Sequence, residues 1–387
     1  MTTDPTLSQD VRLIDAVDNK VSNVRTRQLD ISFNELADMY TTGELVIQPE
    51  YQRLFRWTPG AQSRFIETLI LELPIPPIFL MEVEENVFEL IDGLQRISSY
   101  LNFRGLLPPK EGAEKGPLRL EDCDIVTELN DHTYDTLPAA LSRRLKRNFI
   151  RAEILRKESD RRLRYYMFKR LNSGGESLEA QEIRNCTIRL LSADFNDTII
   201  RLSKTPSFRY CTGTVAEGQR EKRYDQELVL RFFAFLHWGG RYRHEVGDFL
   251  TDYMEAASGL VPDGDVNPFT PETAEPIFLR TFEVLAAAGG ACAAELGQRI
   301  FGSVDSKQNI RGQFAVYHFE GLALGIQPIL GELDPQNSNQ MERLGRLIAE
   351  IKKSPGMRSL TGGGKNTAQA YRQRIDYFSE KLSAILQ

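Results

Sequence analysis

Cysteine and histidine are scarce in this chain, with four of each among 387 residues. The cysteines (Cys123, Cys186, Cys211, Cys292) form no CxxC pair, and the histidines (His132, His237, His244, His318) show no HxxxH or HxH spacing. This scatter argues against a zinc site and against a disulfide framework, and a reducing compartment is the simpler expectation. Long apolar runs are missing too. No stretch approaches the roughly 18 apolar residues that a membrane span needs. The opening residues, MTTDPTLSQDVRLIDAV, lack a basic n-region and an apolar h-region. No signal peptide and no membrane partner are therefore expected, and a cytoplasmic location is. Nor is there an excess of positive charge: 48 Lys and Arg face 54 Asp and Glu, a formal net charge of -6. The molecule as a whole is no basic nucleic-acid coat, so any contact with nucleic acid has to use a local patch. Internal repeats are absent, and the one low-complexity fragment is TGGGK at 361–365. It misses the phosphate-loop spacing twice, at Ser359 and at Asn366.

What is present is an ordinary globular composition, 41% hydrophobic and 26% charged, enough for a sizeable core. Residues 1–30 are polar and mixed in charge and read as an N-terminal arm. Ser32 and Glu35 have capping-box spacing, so a helix should start there and stop near Gly43. The apolar spacing from Ala61 predicts a second helix, ended by Pro74, Pro76 and Pro77. IFLMEV and VFELI read as two strands joined by a tight turn over Glu84, Glu85 and Asn86. QRISSYLNFRG follows as a helix to Gly105, and NFIRAEIL (148–155) as a strand. Beyond Asp160 helical periodicity takes over and strand signals nearly vanish. The expected fold class is α+β, with a mixed domain over 31–190 and a helical domain over 191–387.

Three constellations carry chemistry. The first is IDGLQR, where a strand runs through Asp92 and Gly93 into a helix. Such a junction presents unpaired backbone N–H groups along the helix dipole, which suits an anion. Gly93 permits a tight turn or a close ligand approach. Arg96 offers a planar fork for phosphate oxygens. Asp92 would repel phosphate, and makes sense as a holder of a divalent metal or as an orienter of water or a hydroxyl. Gln95 suits the orientation of water or the reading of a base edge. The plainer alternative is a turn capped by Asp92, with Arg96 in a salt bridge. The second constellation is PEYQRLFRW, which packs Tyr51, Gln52, Arg53, Arg56 and Trp57 onto a stretch that Pro49 keeps extended. It reads either as an amphipathic edge strand or as a second Gln-Arg pair facing the same anion. The third is FKRLNSGGESLEAQEIRN, where Gly174 and Gly175 supply the corner between two helices. That corner leaves the polarity of Asn172, Gln181, Glu182, Arg184 and Asn185 unexplained.

In this order and spacing, the three segments resemble the N-terminal domain of GmrSD-type modification-dependent restriction endonucleases. The matching residues are Pro49, Tyr51, Gln52, Arg53 and Trp57, then Asp92, Gly93, Gln95 and Arg96. Phe168, Leu171, Asn172, Gly174, Gly175, Leu178, Glu182 and Ile183 complete the set. The chain departs from the family pattern at Leu94, where the family's D-G-Q-Q-R carries its first glutamine. The resemblance implies a ParB/sulfiredoxin-like core, a small mixed sheet with helices, followed by a mostly helical C-terminal region. It implies binding or hydrolysis of a nucleoside triphosphate, GTP or ATP, and a role in bacterial defence against foreign DNA. On that basis Asp92, Gln95 and Arg96 are the candidate catalytic residues. Tyr51, Gln52, Arg53, Gly93, Asn172, Gly174 and Gly175 are the candidate nucleotide contacts. Mg²⁺ is implied by triphosphate chemistry alone, since no metal-ligand cluster can be read. The C-terminal half carries no His-rich nuclease signature, so DNA cutting would need a separate nuclease chain. The rival expectation is a ParB-like DNA-binding or protein-interaction subunit without catalysis.

Residues 142–170 hold twelve Arg or Lys against Glu153, Glu158 and Asp160, a local charge of +9, with Tyr165 and Tyr166 interleaved. This pattern suits contact with a nucleic-acid backbone. It suits equally a solvated helix face paired with the acidic remainder of the chain.

Overall fold

The computed structural model describes residues 13–14, 17, 25–47, 55, 57–107, 116–159, 165–167, 169–171, 180–189, 191–243, 245–260, 269–361 and 367–386. Within 180–189, side chains are described at Gln181, Arg184, Asn185, Thr187 and Ile188. The chain divides into two units, residues 1–178 and 179–387. The division thus falls before helix 180–189, where the sequence reading put it after 190.

The first unit is built on a five-stranded mixed sheet in the order β1-β5-β3-β4-β2. The strands are β1 (Thr26–Ser32), β2 (Leu45–Val46), β3 (Ile78–Glu84), β4 (Val87–Asp92) and β5 (Phe149–Leu155). β1 runs antiparallel to β5, β5 parallel to β3, β3 antiparallel to β4, and β4 parallel to β2. Most of β1 falls in the stretch whose polar, mixed-charge sequence reads as an arm, and the strand is little buried: of its seven residues only Ile31 is. A sheet-edge strand needs only a partner backbone, here Thr26 opposite Leu155 through Ser32 opposite Phe149.

The sheet is accompanied by helices α1 (Phe33–Thr42), α2 (Pro59–Ile70), α3 (Leu94–Phe103) and α4 (Ala139–Arg147). The expected cap of α1 is present. Ser32 Oγ accepts the Glu35 N–H at 3.1 Å, and Gly43 closes the helix in the left-handed conformation. α2 starts on Thr58 and Pro59, a side-chain cap followed by a proline at the first turn. Phe33, Leu36, Phe65, Ile66, Leu69, Ile97, Tyr100, Leu101 and Phe103 on α1, α2 and α3 are buried, as are Ile78, Leu80 and Leu90 on β3 and β4. The rings of Phe33 and Tyr100 meet at 4.9 Å between centroids.

The second unit is mostly helical: α5 (Ala180–Arg189), α6 (Ala193–Leu202), α7 (Pro206–Cys211), α8 (Glu217–Glu221), α9 (Tyr224–Trp238), α10 (Val246–Ala257), α11 (Pro271–Ala291), α12 (Val316–Gly325), α13 (Ser338–Lys353), α14 (Pro355–Ser359) and α15 (Ala368–Leu382). A hairpin of β6 (Gly302–Val304) and β7 (Ile310–Phe314) interrupts them, in a region where no strand was expected. Phe208, Phe232, Phe233, Phe278, Phe282, Phe301 and Phe319 form an aromatic core, with Phe278 and Phe282 at 4.5 Å between centroids. α12 and α15 approach closely at Gly325, where a Cβ would stand 2.6 Å from Phe378 Cβ. The α+β class with a helical C-terminal region agrees with the expectation. Among the described residues, no helix is long and apolar enough to cross a membrane.

Candidate functional site

The strand-turn-helix at 92–94 lies where the sequence places it. β4 ends on Asp92, opposite Phe79 of β3. Gly93 has φ +101° and ψ 12° and begins α3 without a side-chain cap. A Cβ there would fall 2.4 Å from Ile78 Cγ2. Glycine is thus dictated by backbone handedness and by the β3 side chain before any ligand is considered. Leu94, the position of the family's glutamine, opens α3 and is buried. An amide there would have to find partners inside the core.

Arg96 is one helical turn further on. Its Nη2 donates to Asp92 Oδ2 at 2.9 Å, and its Nη1 donates to the carbonyl oxygens of Pro76 and Pro77. Burial pushes the guanidinium pKa down, opposed by the Asp92 charge. Arg96 therefore ties the end of β4 to the segment that leads into β3. Its side chain is 14% exposed, against 42% for Asp92. Asp92 is the half that solvent reaches, and its Oδ1 has no partner among the described residues.

Gln95 joins the first constellation to the second. Its Oε1 accepts the backbone N–H of Trp57 at 3.1 Å. Gln62 Nε2 donates to the Trp57 carbonyl at 2.8 Å, and Asn102 Nδ2 donates to Gln62 Oε1 at 2.8 Å. Trp57 is thereby clamped by α2 and α3, with its ring 5.9 Å from that of Phe65. Tyr51, Gln52, Arg53 and Arg56 lie outside the described residues, as do Asn172, Gly174 and Gly175 of the third constellation.

The polar residues of the third constellation that are described have structural partners. Arg184 Nη1 donates to Gln181 Oε1 at 2.9 Å and lies 3.3 Å from Glu227 Oε2, while its Nη2 donates to the Gly247 carbonyl at 3.1 Å. Asn185 Nδ2 donates to Gln226 Oε1. These bonds tie α5 to α9 and α10, which accounts for polarity that the helix corner alone did not need. The network continues through Arg231, which lies 2.8 Å from Glu227 and 2.6 Å from Glu320. Burial works against the Arg231 charge, but Glu320 and Glu227 outweigh it and hold its pKa raised.

The sequence reading missed the buried polar face of α2. Glu67, 1% exposed, accepts the backbone N–H groups of Ile125 at 3.0 Å and Val126 at 2.6 Å. Ser63 Oγ accepts that of Glu121 at 3.0 Å. The signal was there: Gln62, Ser63 and Glu67 fall among the apolar positions of α2, where a solvated helix would carry none.

The segment containing both the turn and the Trp57 clamp, residues 33–189, matches the sequence model of the GmrSD restriction endonuclease N-terminal domain. This part of the chain belongs to that domain family. Comparison with curated proteins and with solved structures gave no match. In this GmrSD N-terminal domain the match runs from the first residue of α1 to the last of α5. Among the described residues no group of three or more His, Cys, Asp or Glu side chains is placed to hold a metal ion. Mg²⁺ bound mainly through phosphate oxygens needs only one or two carboxylates. Asp92 fits that modest requirement.

Proposed function

We propose that this chain is a nucleotide-binding sensor or regulator of a restriction system directed against foreign DNA, with the β4–α3 turn facing the nucleotide phosphates. The reading rests on membership of the GmrSD N-terminal domain family. The single observation that carries it further is Asp92. It is a part-exposed carboxylate at a strand end, held in place by Arg96 and adjacent to the N-terminus of α3. The α3 dipole and its first N–H groups favour phosphate. Arg96 acts by positioning Asp92, and Asp92 orients a water or a hydroxyl. GTP or ATP is the nucleotide, and Mg²⁺, bound mainly through the phosphate oxygens with Asp92 as a minor ligand, would neutralise phosphate charge. Tyr51, Gln52, Arg53, Asn172, Gly174 and Gly175 supply further contacts on the family pattern. The basic segment 142–170 meets DNA backbone, and a separate nuclease chain does the cutting.

A second reading, a nucleotide- or DNA-binding subunit without turnover, is favoured by one observation. Leu94 is buried where the family pattern has glutamine, so the turn has one polar side chain fewer for handling water. Phosphate release from GTP and ATP with Mg²⁺ separates the two. The first reading expects release, reduced roughly 100-fold or more by Asp92→Asn with nucleotide affinity retained. Binding without release supports the second reading, and release that Asp92→Asn leaves unchanged contradicts the role given to Asp92.

A further inference from the structure

A groove of about 560 Å³ opens in the first unit between the C-terminal end of α4, the start of β5 and the segment after α2. That volume lies in the range of ligand sites, about 300–1,000 Å³. One side carries three guanidinium groups, Arg144, Arg147 and Arg151. Two of these are paired with the acidic residues at its edge, Arg151 with Asp30 at 3.1 Å and Arg144 with Glu72 at 3.5 Å, which leaves Arg147 as the excess positive charge of the lining. Arg147 has no ion pair or hydrogen-bond partner among the described residues and is exposed. Positive charge extends beyond the groove, because residues 143–151 contain Arg143, Arg144, Lys146, Arg147 and Arg151 and no Asp or Glu. Phe149 stands in the middle of this run with 60% of its surface in solvent, and Leu73 on the facing segment is 42% exposed.

Each feature has a plain explanation taken singly. Basic residues suit the C-terminal turn of α4, and isolated apolar side chains are common on surfaces. Their combination is more specific. A flat aromatic ring exposed beside an unpaired guanidinium, in an open groove bordered by a basic run, matches the requirements of a nucleobase attached to a phosphate backbone. A rigid duplex keeps its bases stacked and would reach the arginines but not the ring.

We propose that this groove binds unpaired nucleotides of single-stranded nucleic acid, with a base stacked on Phe149 and its phosphate on Arg147. The proposal refines the nucleic-acid contact of the preceding reading, on which it rests, and does not involve the β4–α3 turn. Fluorescence anisotropy of the full chain with a labelled oligothymidine and with a labelled duplex of equal length tests it, over a series of salt concentrations. Both side chains are exposed, so Phe149→Ala and Arg147→Ala should fold, as circular dichroism would check. The expected result is tighter binding of the single strand, weakened roughly tenfold by Phe149→Ala. Duplex affinity should be unaffected by that change. Arg147→Ala should lower the salt slope by somewhat under one, as roughly 0.7 per phosphate contact for single strands implies. If Phe149→Ala leaves single-strand affinity unchanged while Arg147→Ala weakens both forms, the groove proposal is overturned and the backbone contact stands. No binding of either form, or displacement only by an acidic polypeptide, overturns both.

Discussion

At φ +101°, Gly93 leaves no room for a side chain, since a Cβ would stand 2.4 Å from Ile78 Cγ2 on the neighbouring strand. Gly93→Ala therefore has to move β3 or unwind the first turn of α3. The expected cost is roughly 2 kcal/mol or more, read as a lower urea midpoint, and an unchanged midpoint would contradict the turn described here. Of the side chains around Gly93, the Asp92–Arg96 pair could be anticipated from its spacing, because residues four apart on a helical path are neighbours. The bonds from Arg96 to the Pro76 and Pro77 carbonyls could not, nor the one from the Trp57 N–H to Gln95. Each joins residues about 20 to 40 positions apart, and no local pattern encodes which backbone group will arrive. These bonds change the reading of Arg96, from a phosphate fork to a clamp on Asp92.

Elements with strong end signals were legible: α1 through Ser32, Glu35 and Gly43, and the β3–β4 hairpin through its Glu-Glu-Asn turn. β1 and the β6–β7 hairpin were not, because their strands are short or exposed and alternate too little to stand out from loops. Buried polar groups hold the hairpin's first residue and the turn that leads into it. His318 on α12 must donate from Nδ1 to the Gly302 carbonyl at 2.9 Å, as a carbonyl can only accept. Lys352 on α13 donates to the carbonyl oxygens of Arg299 at 3.1 Å and Ile300 at 2.7 Å. Burial, aided by Lys352 and Arg374, pushes the His318 pKa well down. In the unfolded chain a histidine takes up its proton near its ordinary value of about 6.5. The unfolded state therefore binds more protons below that pH, and the His318 contribution, complete above about 6.5, is lost as pH falls toward its depressed folded value. His318→Gln should flatten the fall in stability between pH 7 and 5 in denaturation curves, and an unaltered pH profile would contradict this account.

At the scale of the whole molecule, composition and periodicity were enough for the α+β class and for the change to helices after Asp160. They were less informative about where one unit ends. α5 falls inside the matched family segment, yet its Arg184 and Asn185 are bonded to α9 and α10 of the second unit. A pairwise polar network decides that allegiance, and it cannot be seen until the helices are placed. The central claim remains that the first unit recognises a nucleotide at its β4–α3 turn. The most direct test is calorimetric titration of GTP, ATP and their slowly hydrolysed analogues into the whole chain with Mg²⁺, beside the Asp92→Asn and Gly93→Ala variants. The account predicts saturable binding at one site per chain, retained by Asp92→Asn and lost or strongly weakened by Gly93→Ala. No heat of binding with either nucleotide, or binding that Gly93→Ala leaves intact, would contradict it.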